Sequence, residues 1–170
     1  MKRYLEISVG HVSGRILLER LILLSAALLV TSCGEKSLSD ADVERLLKEA
    51  VEVGSLEWRD NLAYQNSEPY SGWAKKMSHY DSGQAQVLGR LKDGKADGPR
   101  ISWHETGEKK GEKKAEGTFK DGKPDGPWTY WHENGQKLGE VKYKDGELIS
   151  ERYWNSKGEE VGSEKAAYGY

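Results

Sequence analysis

From residue 85 onward, apolar and polar residues alternate with a period of two. Counting back two at a time from each "KDG", at 92, 120 and 144, gives Leu91, Gly89 and Val87, then Phe119, Gly117 and Ala115, then Tyr143, Val141 and Gly139. These positions form one apolar-and-small column, while Arg90, Thr118, Glu116, Lys142 and Glu140 between them are mostly polar and face the other way. Such alternation predicts strands of roughly 5 to 8 residues. Asn134-Gly135 and the Asp-Gly pairs at 93–94, 121–122 and 145–146 supply the positive φ of two-residue hairpin turns. Over residues 37 to 54 the spacing changes to three and four, with Val43, Leu46, Leu47, Ala50 and Val51 on one face. One amphipathic helix of about four turns is predicted there, with Ser39 capping its start and Gly54 ending it. Its acidic residues, Asp40, Asp42, Glu44, Glu49 and Glu52, favour packing on the sheet over lying on a membrane surface.

The strands come in repeats. "KDGKADGPRISWHETGEK", residues 92 to 109, and "KDGKPDGPWTYWHENGQK", residues 120 to 137, match at twelve of eighteen positions. The turn glycines Gly83, Gly107, Gly135 and Gly158 are separated by steps of 24, 28 and 23, and the long step holds "GEKKGEKK", a small tandem duplication. The period is about 24, with two strands in each unit. Trp103 then aligns with Trp131 and Ile101 with Thr129, while Trp128 and Tyr130 lie on the opposite face, where the preceding unit holds Arg100 and Ser102. A unit of this size buries little by itself, so stability comes from stacking on neighbours. The expected fold is mostly β: an elongated, single-layer antiparallel β-meander of about 24-residue hairpin repeats, with the amphipathic helix as N-terminal cap. The boundaries are a helical cap and linker over 39–63, the β-repeat domain over 64–161 and a flexible tail over 162–170.

Composition agrees with a thin fold: 36% of residues are hydrophobic and 32% charged, too lean for a thick two-layer core. A net charge of −2, with both signs scattered, leaves no electrostatic footprint for nucleic acid, and that partner class is set aside. The longest apolar run, "LILLSAALLV" at 21 to 30, has ten residues where a membrane-spanning helix needs roughly 20. Lys2, Arg3, Arg15 and Arg20 precede it and "VTSC" follows, the order of an export signal. Cys33 is the single cysteine, which excludes an intramolecular disulfide. "VTSC" resembles the bacterial lipobox. That resemblance implies a signal peptide over 1–32, diacylglycerol on the Cys33 thiol and a lipid-anchored tether over 33–38. Gly34, where an aspartate would signal inner-membrane retention, implies the outer membrane, facing the periplasm.

A second resemblance rests on Gly126, Trp128, Tyr130, Trp131, Asn134, Gly135, Tyr143, Asp145 and Gly146, with "EPYSGWA" at 68 to 74 and "YWNSKGEEV" at 153 to 161. Residues 64 to 161 resemble the MORN-repeat variant family. The resemblance implies a single-layer antiparallel β-meander and a binding role, to protein or membrane. Proteins of this kind are labelled antitoxin components of the YwqK type, which implies as the alternative an inhibitor that neutralises a cognate toxin.

Candidate chemistry is sparse. His104-Glu105 and His132-Glu133 recur one repeat apart, but a metal needs three or four ligands converging within about 2.0–2.3 Å, and His79 stands one residue out of phase. There is no H-E-x-x-H, no G-x-S-x-G and no phosphate-cradling glycine loop before a helix. No catalytic residue, metal or cofactor is therefore expected. The candidate binding residues are aromatic: Trp128 and Tyr130 first, because Arg100 and Ser102 hold their places in the preceding unit, then Trp131 and Trp103. The reading is a non-enzymatic, membrane-anchored cell-envelope lipoprotein, held by lipidated Cys33, that binds an envelope protein through its repeat sheet.

Overall fold

The computed structural model describes residues 37–80, 83–105 and 111–169; Cys33 and the proposed signal segment lie outside them. Helix α1 spans Asp40–Glu49 and starts on Ser39, whose hydroxyl accepts from the Asp42 N–H at 3.2 Å. It is shorter than the spacing predicts. Val51–Glu52 forms strand β1, and Gly54 falls in a 3-10 turn, Val53–Ser55. The reason is local: Val51 and Val53 are β-branched, and extended backbone at Ala50 lets Val51 pair with a strand.

Three short strands, β2 (Glu57–Arg59), β3 (Leu62–Gln65) and β4 (Glu68–Pro69), make a small antiparallel sheet. Its turns are Asp60-Asn61 and Asn66-Ser67, all four residues at positive φ. The main sheet holds β5 (Gly72–Met77), β6 (Ala85–Lys92), β7 (Lys95–Trp103), β8 (Lys113–Lys120), β10 (Gly126–Trp131), β11 (Lys137–Lys144) and β12 (Glu147–Trp154) in chain order. Strand β1 lies parallel beside β5, β13 (Glu160–Val161) pairs with β12, and β9 (Lys123–Pro124) pairs with β8. The described chain is thus mostly β, a large antiparallel sheet of hairpin-like strands with two short helices. None of the described helices is long and apolar enough to cross a membrane.

The three Asp-Gly turns share one geometry: φ is 49°, 50° and 51° at Asp93, Asp121 and Asp145, and 80°, 84° and 88° at the glycines that follow. Each is held by a side chain at or just before the start of an earlier strand. The N–H groups of Asp93, Asp121 and Asp145 donate to Ser71 Oγ at 2.8 Å, Asp97 Oδ2 at 3.2 Å and Asp125 Oδ2 at 3.4 Å. Lys144 adds a bond to Asp125 Oδ2 at 2.9 Å, and its charge and hydrogen bond hold the Asp125 carboxyl below the usual carboxylate range.

Pairing fixes which side chains share a face. One row runs Leu88, Ile101, Glu116, Thr129, Glu140, Arg152, and the adjacent row runs Val87, Ser102, Ala115, Tyr130, Gly139, Tyr153, on the other face. Leu46 of α1 and Ala50 just after it cluster with Leu88, Trp73 and Trp103, so α1 lies on the first face. On the second face Trp128, Leu138, Val141 and Tyr153 cluster with Ala167 of helix α2, Glu164–Ala167. Within the segment expected as a flexible tail over 162–170, Ser163 caps α2, accepting from the Ala166 N–H at 3.2 Å, and Ala167 is 2% exposed. Ser163 caps well and Ala167 carries little side-chain entropy into burial, so four residues suffice for a docked turn.

Candidate binding site

Strands β7, β10 and β12 each end on a tryptophan, Trp103, Trp131 and Trp154, and the next residue opens a tight turn. His104 N–H donates to Glu112 O at 3.0 Å, His132 N–H to Gln136 O at 2.8 Å and Asn155 N–H to Glu159 O at 2.9 Å. The two histidines are buried, at 7% and 9% exposure. His104 Nε2 lies 3.1 Å from Trp131 O, and His132 Nε2 lies 2.8 Å from Trp154 O. A carbonyl oxygen only accepts, so Nε2 carries the proton in both rings. The two histidines thus hold the sheet together: each imidazole ties its turn to the tryptophan that ends the next strand of this series. Among the described residues no three His, Cys, Asp or Glu side chains gather into a metal-holding group.

Of the first-choice binding pair, Trp128 is buried and Tyr130 half-buried. Trp128 is 7% exposed, and its indole Nε1–H donates to Thr118 O at 3.1 Å. Phe119 meets its ring edge-on, with centroids 5.2 Å apart, and Tyr130 stacks on it at 6.0 Å. The ring fills a slot opened by Gly117: a Cβ there would lie 2.2 Å from the indole. Trp128 is core and offers no face to a ligand. Tyr130 is half-buried against the same cluster, and burial first, then its hydrogen bond with Tyr143, push its hydroxyl pKa up. Reading Arg100 as a sign that an aromatic was dispensable missed the glycine column. Gly89 faces Arg100, where an added Cβ would make ordinary contact at 3.7 Å, whereas Gly117 is filled by the Trp128 ring.

Trp103 and Trp131 stand on the opposite face, both half-buried, and the structure brings them together. They line a cleft of about 330 Å³ with Asp40, Glu112, Lys113 and Gly135. Asp40 arrives from the first turn of α1, and Glu112 and Lys113 enter from the turn that His104 opens and from β8. Lys113 Nζ is bound to Glu116 Oε2 at 2.8 Å. Asp40 and Glu112 make no ion pair among the described residues. The third tryptophan of the column differs: Lys137 Nζ lies 5.3 Å and Arg152 Cζ 5.2 Å from the Trp154 ring centroid, both within cation–π range. No cation covers Trp103 or Trp131 among the described residues.

A second feature is the margin of the sheet at β12. Strand β11 pairs along one side of it, whereas β13 covers the other only at Tyr153 and Trp154. The outer side of Glu147–Arg152 carries no partner strand among the described residues, and Leu148 and Ile149 there are 53% and 57% exposed. The opposite margin is closed: β1 pairs with Ala74 and Lys75, and Glu52 Oε1 accepts from the Met77 N–H at 3.2 Å. The free margin had a signal in the sequence. Ile149 stands third after Gly146, where earlier units hold Asp97 and Asp125. The contribution of Asp40 to the cleft had none, since it depends on where α1 lands. Among family models, curated proteins and solved structures, none matches this chain.

Proposed function

We propose that this chain is a non-enzymatic cell-envelope lipoprotein, anchored through Cys33 to the outer membrane, that binds an extended segment of a partner protein along β12. The single observation that carries the binding reading is the uncovered side of Glu147–Arg152, with Leu148 and Ile149 exposed beside it. Sheet margins in folded proteins are blunted by lysine, proline, bulges or a covering element. Here two large apolar residues stand at the margin, Ile149 at a register shift against β11, and six residues present about 20 Å of strand with no partner on its outer side among the described residues. An added strand gains main-chain hydrogen bonds along that length and apolar contacts from Leu148 and Ile149. In this reading the hairpin units recur with the period of about 24 that resembles MORN repeats, and α1 serves as the cap of the first units. The lipobox-like "VTSC" supports the anchor.

Two experiments test the two halves. Membrane fractionation and intact mass compare the wild type with Cys33→Ser: a membrane-bound, lipid-heavier wild type and a soluble variant are expected, and two soluble proteins retaining Met1 overturn the anchor. For binding, a photo-cross-linking residue at 149 is compared in cells with one at exposed Lys165. One discrete heavier adduct from position 149 alone is expected. An adduct of twice the chain's mass, or none from position 149, overturns the partner reading.

A further inference from the structure

We infer that the cleft between Trp103 and Trp131 is a recognition pocket for an organic cation, the guanidinium or ammonium of an arginine or lysine side chain of the partner protein. Among the described residues, Trp154 alone of the column has its ring covered by cations. Trp154 holds Lys137 Nζ and Arg152 Cζ at 5.3 and 5.2 Å. Arg152 lies two residues before Trp154 on the same strand and face. At the same offset before Trp131 stands Thr129, and before Trp103 stands Ile101, neither of which carries charge. Lys113 pairs with Trp103 as Lys137 pairs with Trp131 and lines the cleft, but it covers neither indole among the described residues, so the column repeats the aromatic surface there without a cation on its face.

Charge in the cleft has the matching sign. Lys113 is neutralised by Glu116 at 2.8 Å, which leaves Asp40 and Glu112, both exposed and without ion pairs among the described residues, as the unbalanced charges at its rim. An indole face with carboxylates beside it favours a cation with an apolar shoulder over a neutral sugar or an anion. The walls are held in place: His104 ties the Trp131 backbone at 3.1 Å, and Trp103 packs with Leu88 and α1. The source of the cation rests on the partner-binding reading; the chemistry of the pocket does not, because it lies on the sheet face and away from β12.

The test uses the full chain with ¹⁵N-labelled tryptophan and follows the indole N–H peaks. The probes are N-acetyl-arginine methylamide and its neutral counterpart N-acetyl-citrulline methylamide. Saturable shifts of the Trp103 and Trp131 peaks with the arginine probe are expected, without shifts from the citrulline probe. Thr129→Arg places a guanidinium of the chain's own over Trp131 and is expected to abolish the response. Asp40→Asn, an exposed change that leaves the walls intact, is expected to weaken it by about two- to fivefold. Equal response to the citrulline probe, no saturable shift, or an undiminished response in the folded Thr129→Arg variant overturns the pocket. Phosphatidylethanolamine vesicles that shift the same two peaks overturn the assignment to a protein side chain and place the cation on lipid. Absence of an adduct at position 149 with an intact arginine response removes the β12 reading alone.

Discussion

Replacing Gly117 by alanine tests whether the glycine column is a set of slots. The added Cβ would lie 2.2 Å from Trp128 Cδ2, where ordinary contact begins at 3.4 Å, a shortfall of 1.2 Å. The indole has no direction in which to retreat: Phe119 stands edge-on at 5.2 Å, Tyr130 stacks at 6.0 Å, and Nε1 is bound to Thr118 O at 3.1 Å. Overpacking of this kind costs about 1–3 kcal/mol. Breaking the indole hydrogen bond adds about 1 kcal/mol, and the lower chain entropy of alanine returns about 0.4–1 kcal/mol. The net expectation is a loss of about 2–3 kcal/mol. Gly89 holds the same place in the preceding unit, but its nearest neighbour is Arg100 Cγ at 3.7 Å, on a side chain exposed to solvent. Gly89→Ala is therefore expected to stabilise by about 0.4–1 kcal/mol. Urea unfolding followed by fluorescence decides: with a slope near 1–3 kcal/mol/M, the midpoint of Gly117→Ala should fall by about 1 M while that of Gly89→Ala rises. Combining Gly117→Ala with Trp128→Leu should cost less than the two changes summed, since the clash needs the ring. Equal shifts for the two alanine variants, or strict additivity with Trp128→Leu, refute the slot.

Three further outcomes follow from the same structure. His132→Leu leaves Trp154 O without the donor now 2.8 Å away and is expected to cost about 1–3 kcal/mol in urea unfolding. Burial, followed by the Glu151 hydrogen bond, raises the Tyr153 pKa to about 12, and burial raises that of Tyr130 as well. Because the folded values lie above the unfolded value near 10, the fold keeps its full stability below that pH and loses it as pH rises toward the folded values, which alkaline titration of tyrosinate absorbance with parallel circular dichroism will register. Asp125 runs in the opposite sense: its lowered pKa makes its contribution present above the usual aspartate range and lost as pH falls through the folded value. Asp125→Asn should flatten that acid limb, and salt should weaken it in the wild type, both read from unfolding midpoints between pH 5 and 2.

Much of the sheet was legible because its signals are local. A period of two put Trp131 and Trp128 on opposite faces, and Asp-Gly pairs placed the three turns, all of which the backbone honours. The other turns were harder. Asp60-Asn61 and Asn66-Ser67 reach positive φ without glycine, so the small β2–β4 sheet hid inside a segment read as linker and cap. Helix α1 was placed but overrun at its end, because Val51 fits the helical spacing as well as it fits a strand and only the pairing with Ala74 decides. The binding residues divided for a physical reason. Exposure is not written in a face pattern when both faces bury aromatics, and what buries Trp128 is the absence of a side chain at Gly117 on the neighbouring strand.

Two kinds of side-chain link recur between successive hairpins, and neither continues past β12 among the described residues. In the first, Asp97 and Asp125 accept from the N–H of the next Asp-Gly turn; the third residue of β12 is Ile149, which has no acceptor to offer. In the second, His104 and His132 reach the carbonyl of the next tryptophan. Asn155, in the same place, turns its side chain inward to the N–H groups of Lys157 and Glu159 and to Glu159 Oε2. Another unit of the same kind would find backbone donors and acceptors along Glu147–Arg152 but neither clamp to close upon. Strand β12 is thus unsuited to extension by its own repeat and suited to a strand that asks only for main-chain bonds and apolar contact with Leu148 and Ile149.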